Sequence, residues 1–246
     1  MTAPYEHWNT KFIADKYRTP RPWSARFKSE VYFLEKFFRP GMRVLDVGCA
    51  SGDLYHGLRE RFGAVEYTGL DVSEGLISRA RELAPGVEFV SGDIFAGVDS
   101  ILPGTFDLVV ATGVFQHEPR YEELLSLMLK YAKPGGLALF DIKLFHTHPT
   151  LGDIEKSYGD HGDHRVYYII NKFSDAVRFI LNQPLVGSGI EVYGYYSGVN
   201  DTVRLPATVK EEVCSAHVLV RRGAGERDKQ IRLELNLPEE FIMNLP

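Results

Sequence analysis

Acidic residues and glycines cluster around one predicted strand–turn–helix unit. Asp46 lies within an apolar run that suits a buried parallel strand, and Gly48 and Gly52 follow it in a tight turn. A glycine turn before a helix N-terminus lets the main chain approach a ligand and points free N–H groups at it. Asp71 lies nineteen residues beyond Gly52, where a carboxylate can accept hydrogen bonds from a ribose diol. The pattern therefore predicts a site for a nucleotide-like ligand.

The spacing of the glycines separates two classes of such ligands. A dinucleotide-binding turn has the pattern G-x-G-x-x-G, whose main-chain N–H groups bind a pyrophosphate. Here three residues separate Gly48 from Gly52, and Asp46 precedes Gly48 by two positions. A carboxylate beside the turn would repel a pyrophosphate but attract a ligand with a cationic amino group. The residues thus argue against NAD, and a nicotinamide oxidoreductase is the weaker alternative.

Strands and helices alternate along the first 145 residues. This alternation predicts βαβ units and a parallel sheet. The predicted strands are 44–47, 65–70, 87–90, 106–111 and 137–142, and the predicted helices are 24–38, 54–62, 74–83 and 121–132. A loop-like insertion over 144–165 follows, then a helix over 167–181, strands over 190–197 and 214–220, and an edge strand over 231–235.

Composition narrows the class of protein and its partners. The 246 residues are 44% hydrophobic and 25% charged, with a net charge of −5, so neither a nucleic acid nor an anionic membrane is an expected partner. Two cysteines form no disulfide framework, and no apolar run is long enough for a signal peptide or a membrane span. We expect a cytoplasmic protein of one domain over 1–246. Its parts are an N-terminal arm or lid (1–23), a core (24–222) containing the insertion, and a tail (223–246).

Five segments together resemble the motifs of the class I S-adenosylmethionine-dependent methyltransferases that act on small molecules. They are 44–52, 68–73, 91–94, 106–117 and 129–136, in family order over roughly residues 40–145. Ala50 departs from the pattern, since many members have glycine there, and we expect only a tighter fit. The resemblance implies an α/β, three-layer, Rossmann-like fold. Its seven-stranded sheet would be mostly parallel, with the last strand (214–220) antiparallel and inserted beside 190–197.

The resemblance also assigns cofactor roles. The turn from Asp46 to Gly52 would line the methionine half of S-adenosylmethionine, Asp71 the ribose, and Asp93 the adenine edge, with Thr112 on the sulfonium side. Transfer of the methyl group would leave S-adenosylhomocysteine. The twelve cofactor residues implied are Asp46, Gly48, Cys49, Ala50, Gly52, Asp71, Val72, Asp93, Ile94, Thr112, Gly113 and Val114. Cys49 is expected to pack rather than to act as a nucleophile.

Histidines after the fourth and fifth strands are candidates for a general base, which a hydroxyl acceptor usually needs. They are His117, His146 and His148, although a structural hydrogen bond to the backbone is the plainer role for His117. The candidates for binding the acceptor are Tyr17, Arg18, His164 and Tyr167. The insertion also contains His161, Asp163 and His164, which could bind a divalent metal with Asp153 or Asp160. Their spacing matches no metal motif, so no metal is predicted.

We therefore expect methyl transfer to a small molecule, with a hydroxyl of a sugar or specialised metabolite as the favoured acceptor. Transfer to the nitrogen of an amino sugar or small amine is the first alternative. A cofactor-binding subunit without its own catalysis is the second. A homodimer is compatible with the edge strand in the tail.

Overall fold

A large sheet with helices on both faces forms in the computed structural model, which describes residues 5–224 and 230–243. The strands are β1 (Arg43–Val47), β2 (Glu66–Asp71), β3 (Glu88–Ser91), β4 (Phe106–Ala111), β5 (Ala132–Phe145), β6 (Tyr158–His161), β7 (His164–Tyr167), β8 (Asn171–Lys172), β9 (Val186–Tyr196), β10 (Val203–Arg204), β11 (Cys214–Arg222) and β12 (Arg232–Asn236). The α-helices are α1 (Lys11–Lys16), α2 (Lys28–Phe37), α3 (Asp53–Phe62), α4 (Glu74–Leu83), α5 (Tyr121–Tyr131), α6 (Phe173–Leu181) and α7 (Glu239–Met243).

The strand order of the large sheet is β12-β9-β11-β5-β4-β1-β2-β3, and the short β8 pairs with the end of β5. Neighbouring strands are parallel within the part of the sheet that has the order β5-β4-β1-β2-β3. The strand β11 is antiparallel to both β5 and β9. This order confirms the predicted fold class, including the antiparallel strand inserted beside β9. The strand count differs slightly, because the sheet also contains β8 and the predicted edge strand β12, which is parallel to β9.

Alternate residues of the central strands divide the core between the two faces of the sheet. Val44 and Leu108 pack with apolar side chains of α2, α3 and α4. Their neighbours Leu45 and Val109 pack with those of α5 and α6 on the opposite face. The central strands β1 and β4 are thus apolar on both sides, as a sheet covered by helices requires. The three layers hold the carboxyl ends of β1, β2 and β4 together at one edge.

The segment after β5 differs from the expectation. The insertion is not a loop throughout, because β6 pairs with β7 and β10 in a small antiparallel sheet. The helix predicted from residue 167 begins only at Phe173. Ile169 donates its N–H to the Gln116 carbonyl, and Ile170 pairs with Leu151, so the chain there is extended. Aromatic and β-branched residues favour an extended conformation. The contacts with Gln116 and Leu151 stabilise that conformation and outweigh the helical spacing of the apolar residues on which the prediction was based.

No helix within the two described ranges has both the length and the apolar character needed to cross a membrane.

Candidate active site

The turn between β1 and α3 brings its main chain against the end of β2. The N–H groups of Gly48 and Cys49 both donate to the carbonyl of Leu70, at 2.7 and 3.1 Å. Gly48 has φ +74°, and a Cβ there would lie 2.5 Å from Val114 Cγ2. Only glycine combines this left-handed backbone with so close an approach to the loop after β4. The turn is therefore held between β2 and β4.

Asp71 is tied to the same turn. One carboxylate oxygen accepts the N–H of Ala50 at 2.9 Å, and the other accepts the N–H of Ser73 at 2.9 Å. Ala50 has φ +48°, a left-handed conformation that is uncommon outside glycine. Burial raises the pKa of Asp71, and the main-chain N–H groups oppose that effect. Asp71 thus fixes the turn as well as facing the cavity beside it.

Asp46 is buried beneath the turn and accepts a hydrogen bond from the Tyr67 hydroxyl at 2.5 Å. Burial raises the pKa of Asp46 to about 7, although the bond from Tyr67 lowers it. A cationic group beside this carboxyl would lower its pKa and be attracted by the resulting charge. The position therefore suits an amino group of a bound ligand.

A first cavity of about 720 Å³ opens at the carboxyl ends of β1, β2, β3 and β4. Nine of the twelve predicted cofactor residues line it: Gly48, Ala50, Asp71, Val72, Asp93, Ile94, Thr112, Gly113 and Val114. Asp93 accepts the N–H of Phe95 at 2.9 Å through one oxygen. Gly52 lines neither this cavity nor the next, and begins α3 with φ +84°.

A second cavity of about 470 Å³ adjoins the first. Asp46 and Cys49 line it, and burial raises the pKa of the Cys49 thiol, which fits packing rather than nucleophilic attack. The two cavities share six lining residues: Tyr17, Gly48, Ala50, Thr112, Gly113 and His117. Two ligands could therefore meet where these residues lie.

His117 lies at this junction, in a short 3-10 turn after β4. Its Nδ1 lies 2.6 Å from the carbonyl oxygen of Tyr167. A carbonyl only accepts hydrogen bonds, so Nδ1 carries the proton and Nε2 is left as an acceptor. Burial lowers the pKa of His117 to about 4, so the ring is neutral near pH 7. The predicted bond to the backbone is therefore present, and the role of His117 as a general base stays a prediction.

The other predicted base candidates lie elsewhere. The main-chain N–H groups of His146 and His148 donate to the Glu211 carboxylate. The ring of His146 packs against Phe241 at 5.7 Å, and His148 Nδ1 lies 2.8 Å from the Pro149 carbonyl oxygen. Neither histidine lines either cavity. The structure thus brings only His117 of the three to the cleft.

The four predicted acceptor-binding residues also divide into two pairs. Tyr17 lines both cavities, and Tyr167 lines the first. Arg18 and His164 are exposed and line neither. Arg18 instead contributes its carbonyl, which accepts a bond from Arg79.

Several cavity residues from the arm, β5 and the insertion were not among the predicted site residues, although His161 was named as a possible metal ligand. His161 is 5% exposed, its Nδ1 has no hydrogen-bond partner among the described residues, and its ring lies 5.6 Å from that of His117. Burial is the main cause that lowers the pKa of His161 to about 3. Lys143 is also buried in the wall of the second cavity. The sequence could have indicated Lys143 as a functional residue, since a lysine inside the apolar run of β5 is unusual.

The N-terminal arm closes one side of the cleft. Tyr5 and Trp8 line the first cavity, and Asn9 accepts a bond from the Ser73 hydroxyl at 2.9 Å. Further along, the Ser51 hydroxyl donates to the carbonyl of Tyr17. These contacts hold the arm against the cofactor turn, as expected of a lid, whose motion stays a prediction.

Within residues 5–224 and 230–243, no group of three or more histidine, cysteine, aspartate or glutamate side chains is arranged to hold a metal ion.

A family model described as "Methyltransferase domain" matches residues 38–157. The trans-aconitate 2-methyltransferase of Deinococcus radiodurans is 31% identical over 113 residues, which are 46% of this chain and 42% of that protein. That of Acidovorax sp. (strain JS42) is 33% identical over 118 residues, which are 46% of this chain and 45% of that protein. The chain thus spans less than half the length of these curated relatives.

Solved structures share the fold over more of the chain. Phosphoethanolamine N-methyltransferase 2 of Haemonchus contortus, determined with phosphomonomethylethanolamine and S-adenosylhomocysteine, has a TM-score of 0.64 at 14% identity. The match covers 91% of this chain and 61% of that one. An S-adenosylmethionine-dependent methyltransferase from Mesorhizobium loti has a TM-score of 0.56 at 17% identity, covering 81% and 100%. At such identities the likeness establishes the fold alone.

Proposed function

We propose that this chain, which belongs to the class I S-adenosylmethionine-dependent methyltransferases, methylates a hydroxyl oxygen of a small molecule such as a sugar or specialised metabolite. The observation that carries the proposal is the pair of adjoining cavities that share His117. One cavity has the main-chain turn and acidic residues that the cofactor needs. The other has the polar side chains that an uncharged acceptor group needs.

The first cavity fits S-adenosylmethionine on several points of this chain. The main chain at Gly48 lies in the cavity wall, so close to Val114 that any Cβ there would clash with it. The buried Thr112 Oγ1 has no hydrogen-bond partner among the described residues. Asp71 and Asp93 each retain acceptor capacity for the ribose and adenine, because a carboxylate can accept more bonds than the main chain supplies here. Asp46 lies beneath the turn, in the wall of the adjoining second cavity, where it can attract the cationic amino group of the methionine half.

The second cavity supports a hydroxyl-bearing acceptor. The uncharged polar side chains that line it include Gln116, His117, His161, Tyr168, Ser197, Asn200, Thr202 and Ser215. Gln116 Oε1 and His161 Nδ1 are buried and have no partner within the described chain. Buried polar atoms are nearly always satisfied, so these two atoms point to a ligand that supplies polar partners. The name trans-aconitate 2-methyltransferase adds only that the relatives act on a small molecule.

The residues at the junction would align the acceptor and receive its proton. When bound, S-adenosylmethionine supplies a methyl group on a sulfonium, and transfer of that group to the acceptor oxygen leaves S-adenosylhomocysteine and releases the hydroxyl proton. His117 accepts this proton on Nε2, because its Nδ1–H is already donated to Tyr167. Tyr17 and the arm exclude water from the junction, which prevents competing hydrolysis.

Two alternatives remain to be separated from this proposal. An amine acceptor would need no base once it is unprotonated, so it should tolerate loss of His117. A non-catalytic subunit would bind the cofactor without releasing product. The proposal favours transfer to oxygen because His117 is held in the tautomer that leaves Nε2 free to accept a proton.

Binding and turnover test the proposal in sequence. Calorimetric titration of the protein with S-adenosylmethionine, S-adenosylhomocysteine and NAD should give binding of the first two only. Release of S-adenosylhomocysteine is then measured with a panel of sugars, phenols, hydroxy acids and amines. Turnover with hydroxyl compounds is expected, whereas binding of NAD alone would overturn the cofactor assignment. Turnover with amines alone would overturn transfer to oxygen.

A further inference from the structure

Lys143 is a buried cation in the wall of the second cavity. It is 7% exposed, and it lies on β5 directly opposite Ser215 of β11. Its ammonium donates to Ser215 Oγ at 3.0 Å, and Ser215 Oγ lies 2.6 Å from Ser197 Oγ. All three residues line the cavity. A lysine is costly to bury, so its place in a cavity wall calls for a chemical reason.

The negative charge nearest to Lys143 compensates it only in part. Asp141 Oδ2 lies 3.5 Å from the Lys143 nitrogen, while Asp141 Oδ1 accepts the N–H of Gly113 at 2.6 Å. An ammonium has three donors. Ser215 takes one and Asp141 is the partner of a second, which leaves a third for an oxygen in the cavity.

The other carboxylates of the cavity wall each have a partner, although Glu30 Oε2 has none among the described residues. Glu30 and Asp53 form ion pairs with Arg26, at 2.6 and 3.1 Å. Asp46 accepts the bond from Tyr67. Lys16 adds positive charge to the same wall, and no carboxylate within the described residues lies within ion-pair distance of it. Both lysines contribute to lowering the pKa of His117, which places their positive potential at the junction of the cavities.

From this arrangement we infer that the acceptor carries an acidic group, a carboxylate or a phosphate, which binds Lys143 and the hydroxyls of Ser197 and Ser215. The inference rests on the proposed function and names the class of its acceptor: a small hydroxyl compound that is also an acid. The bound charge would complete the neutralisation of Lys143. It would also fix which hydroxyl meets His117, because the acid anchors one end of the molecule.

Anion binding provides a test that does not depend on turnover. The protein is titrated calorimetrically with glucuronate and with inorganic phosphate, and with glucose and glycerol as neutral probes, in the presence and absence of S-adenosylhomocysteine. We expect at least one acid to bind more tightly than its neutral counterpart, and the better acid distinguishes a carboxylate site from a phosphate site. Lys143→Met should weaken that binding by about 10- to 100-fold, as expected when a charged hydrogen bond is lost.

Matched variants separate this role from a structural one. Lys133→Met is the control, because Lys133 lies on the same strand and pairs with Asp107 at the opposite end. It should leave acid binding unchanged. Ser215→Ala keeps the charge and should weaken binding by about 3- to 10-fold. If Lys143→Met fails to fold, as judged by its melting transition, Ser215→Ala and Lys143→Arg carry the test.

The outcomes are distinct from those of the proposed function. Failure of wild type to bind either acid, or equal binding by wild type, Lys143→Met and Ser215→Ala, overturns the inference. Failure to bind S-adenosylhomocysteine overturns the proposed function instead, and the titrations without that ligand still report on Lys143.

Discussion

The two cavities are built in different ways. The first depends on main-chain groups of short loops, such as the N–H groups of Gly48 and Ala50 and the helix entrance at Ser73. The second depends on side chains from segments far apart in sequence, including Lys16 of α1 and Ser215 of β11. One site is thus specified by backbone conformation and the other by side-chain chemistry.

This difference explains how one fold can serve many acceptors. A backbone site tolerates few residue types, because positive φ angles and missing Cβ atoms define it. A side-chain site can change through individual substitutions that leave the sheet intact. The similar proteins fit this view, since a trans-aconitate 2-methyltransferase and a phosphoethanolamine N-methyltransferase resemble the same chain. We call the first cavity the cofactor half of the cleft and the second cavity the acceptor half. If this view is right, substitutions should alter the two halves independently.

Removal of His117 should have the largest effect and should be confined to the acceptor half. His117→Ala and His117→Gln are expected to lower kcat by about 10²- to 10⁴-fold, the usual contribution of a general base. The Kd of S-adenosylhomocysteine should change little, because cofactor recognition rests on the main chain. Stopped assays of product release, with calorimetry for the cofactor, measure both quantities. Because burial lowers the pKa of His117 to about 4, wild-type kcat should stay level from pH 6 to 8.

The matched control is His56→Ala, which removes a partly buried histidine of α3 that lines neither cavity. It should retain wild-type kcat. A His117→Ala enzyme that keeps kcat within about threefold would contradict base catalysis. It would then favour an acceptor that needs no base.

A methyl group at Gly48 should damage the cofactor half. In Gly48→Ala the new Cβ meets Val114 Cγ2 at 2.5 Å on a left-handed backbone, so the turn must move. We expect the Kd of S-adenosylhomocysteine to rise by about 100-fold, equivalent to about 2.7 kcal/mol.

Gly86→Ala is the control, because Gly86 has φ +86° but a Cβ added there would meet no atom within 4 Å. It should lose about 1 kcal/mol of stability and retain the Kd. Equal loss of binding in both variants would show that the measurement reports general instability and not the conformation of the turn at Gly48.

The difference between the backbone-built first cavity and the side-chain-built second cavity also determined which parts of the molecule could be predicted from the sequence. Alternating apolar runs and glycine turns are local, so β1 to β4, α2 to α5 and the cofactor turn were found close to their observed positions. The strand β5 was also found, but the predicted range 137–142 covers less than half of its observed length. Gly48 and Asp71 follow from spacing within one βαβ unit. The edge strand β12 was also found, because its apolar and polar residues alternate with period two.

The acceptor half could not be predicted in the same way. Its residues come together through the antiparallel pairing of β5 with β11 and through the small sheet of the insertion. Nothing local in the sequence states that Ser215 lies opposite Lys143, or that His161 lies beside His117. His146 and His148 follow β5 directly, yet the bonds from their N–H groups to Glu211 hold the chain away from both cavities.

Two buried side chains of the second cavity, His161 and Asp46, should respond to pH with opposite signs. The pKa of His161 is about 3 in the folded protein against about 6.5 when unfolded, so stability is lost as pH falls below about 6.5. The pKa of Asp46 is about 7 when folded against 3.8, so its effect is the reverse, and stability is lost as pH rises from about 4 to 7.

Urea unfolding of the ligand-free protein between pH 4 and 7.5 measures both effects. His161→Gln should reduce the loss on acidification to pH 4 by about 3 kcal/mol, since about 2.5 pKa units lie between pH 6.5 and 4 and each corresponds to about 1.4 kcal/mol. Asp46→Asn should reduce the loss on raising the pH by a similar amount. If both variants change the pH dependence in the same direction, the opposite pKa shifts of His161 and Asp46 are contradicted.

The smallest effect is expected at Ser73, which connects the arm to the cofactor half. Its hydroxyl accepts the N–H of Leu76 at the start of α4 and donates to Asn9 of the arm. Ser73→Ala loses both bonds and should lower the free energy of unfolding by about 1 kcal/mol.

Ser73→Asp keeps the helix cap, since a carboxylate caps well, but it cannot donate to the Asn9 oxygen. It should therefore keep most of the stability while loosening the arm, which faster proteolysis near residue 9 would reveal. Equal proteolysis of Ser73→Asp and wild type would mean that the arm is held by its other contacts, such as the bond from Ser51 to Tyr17.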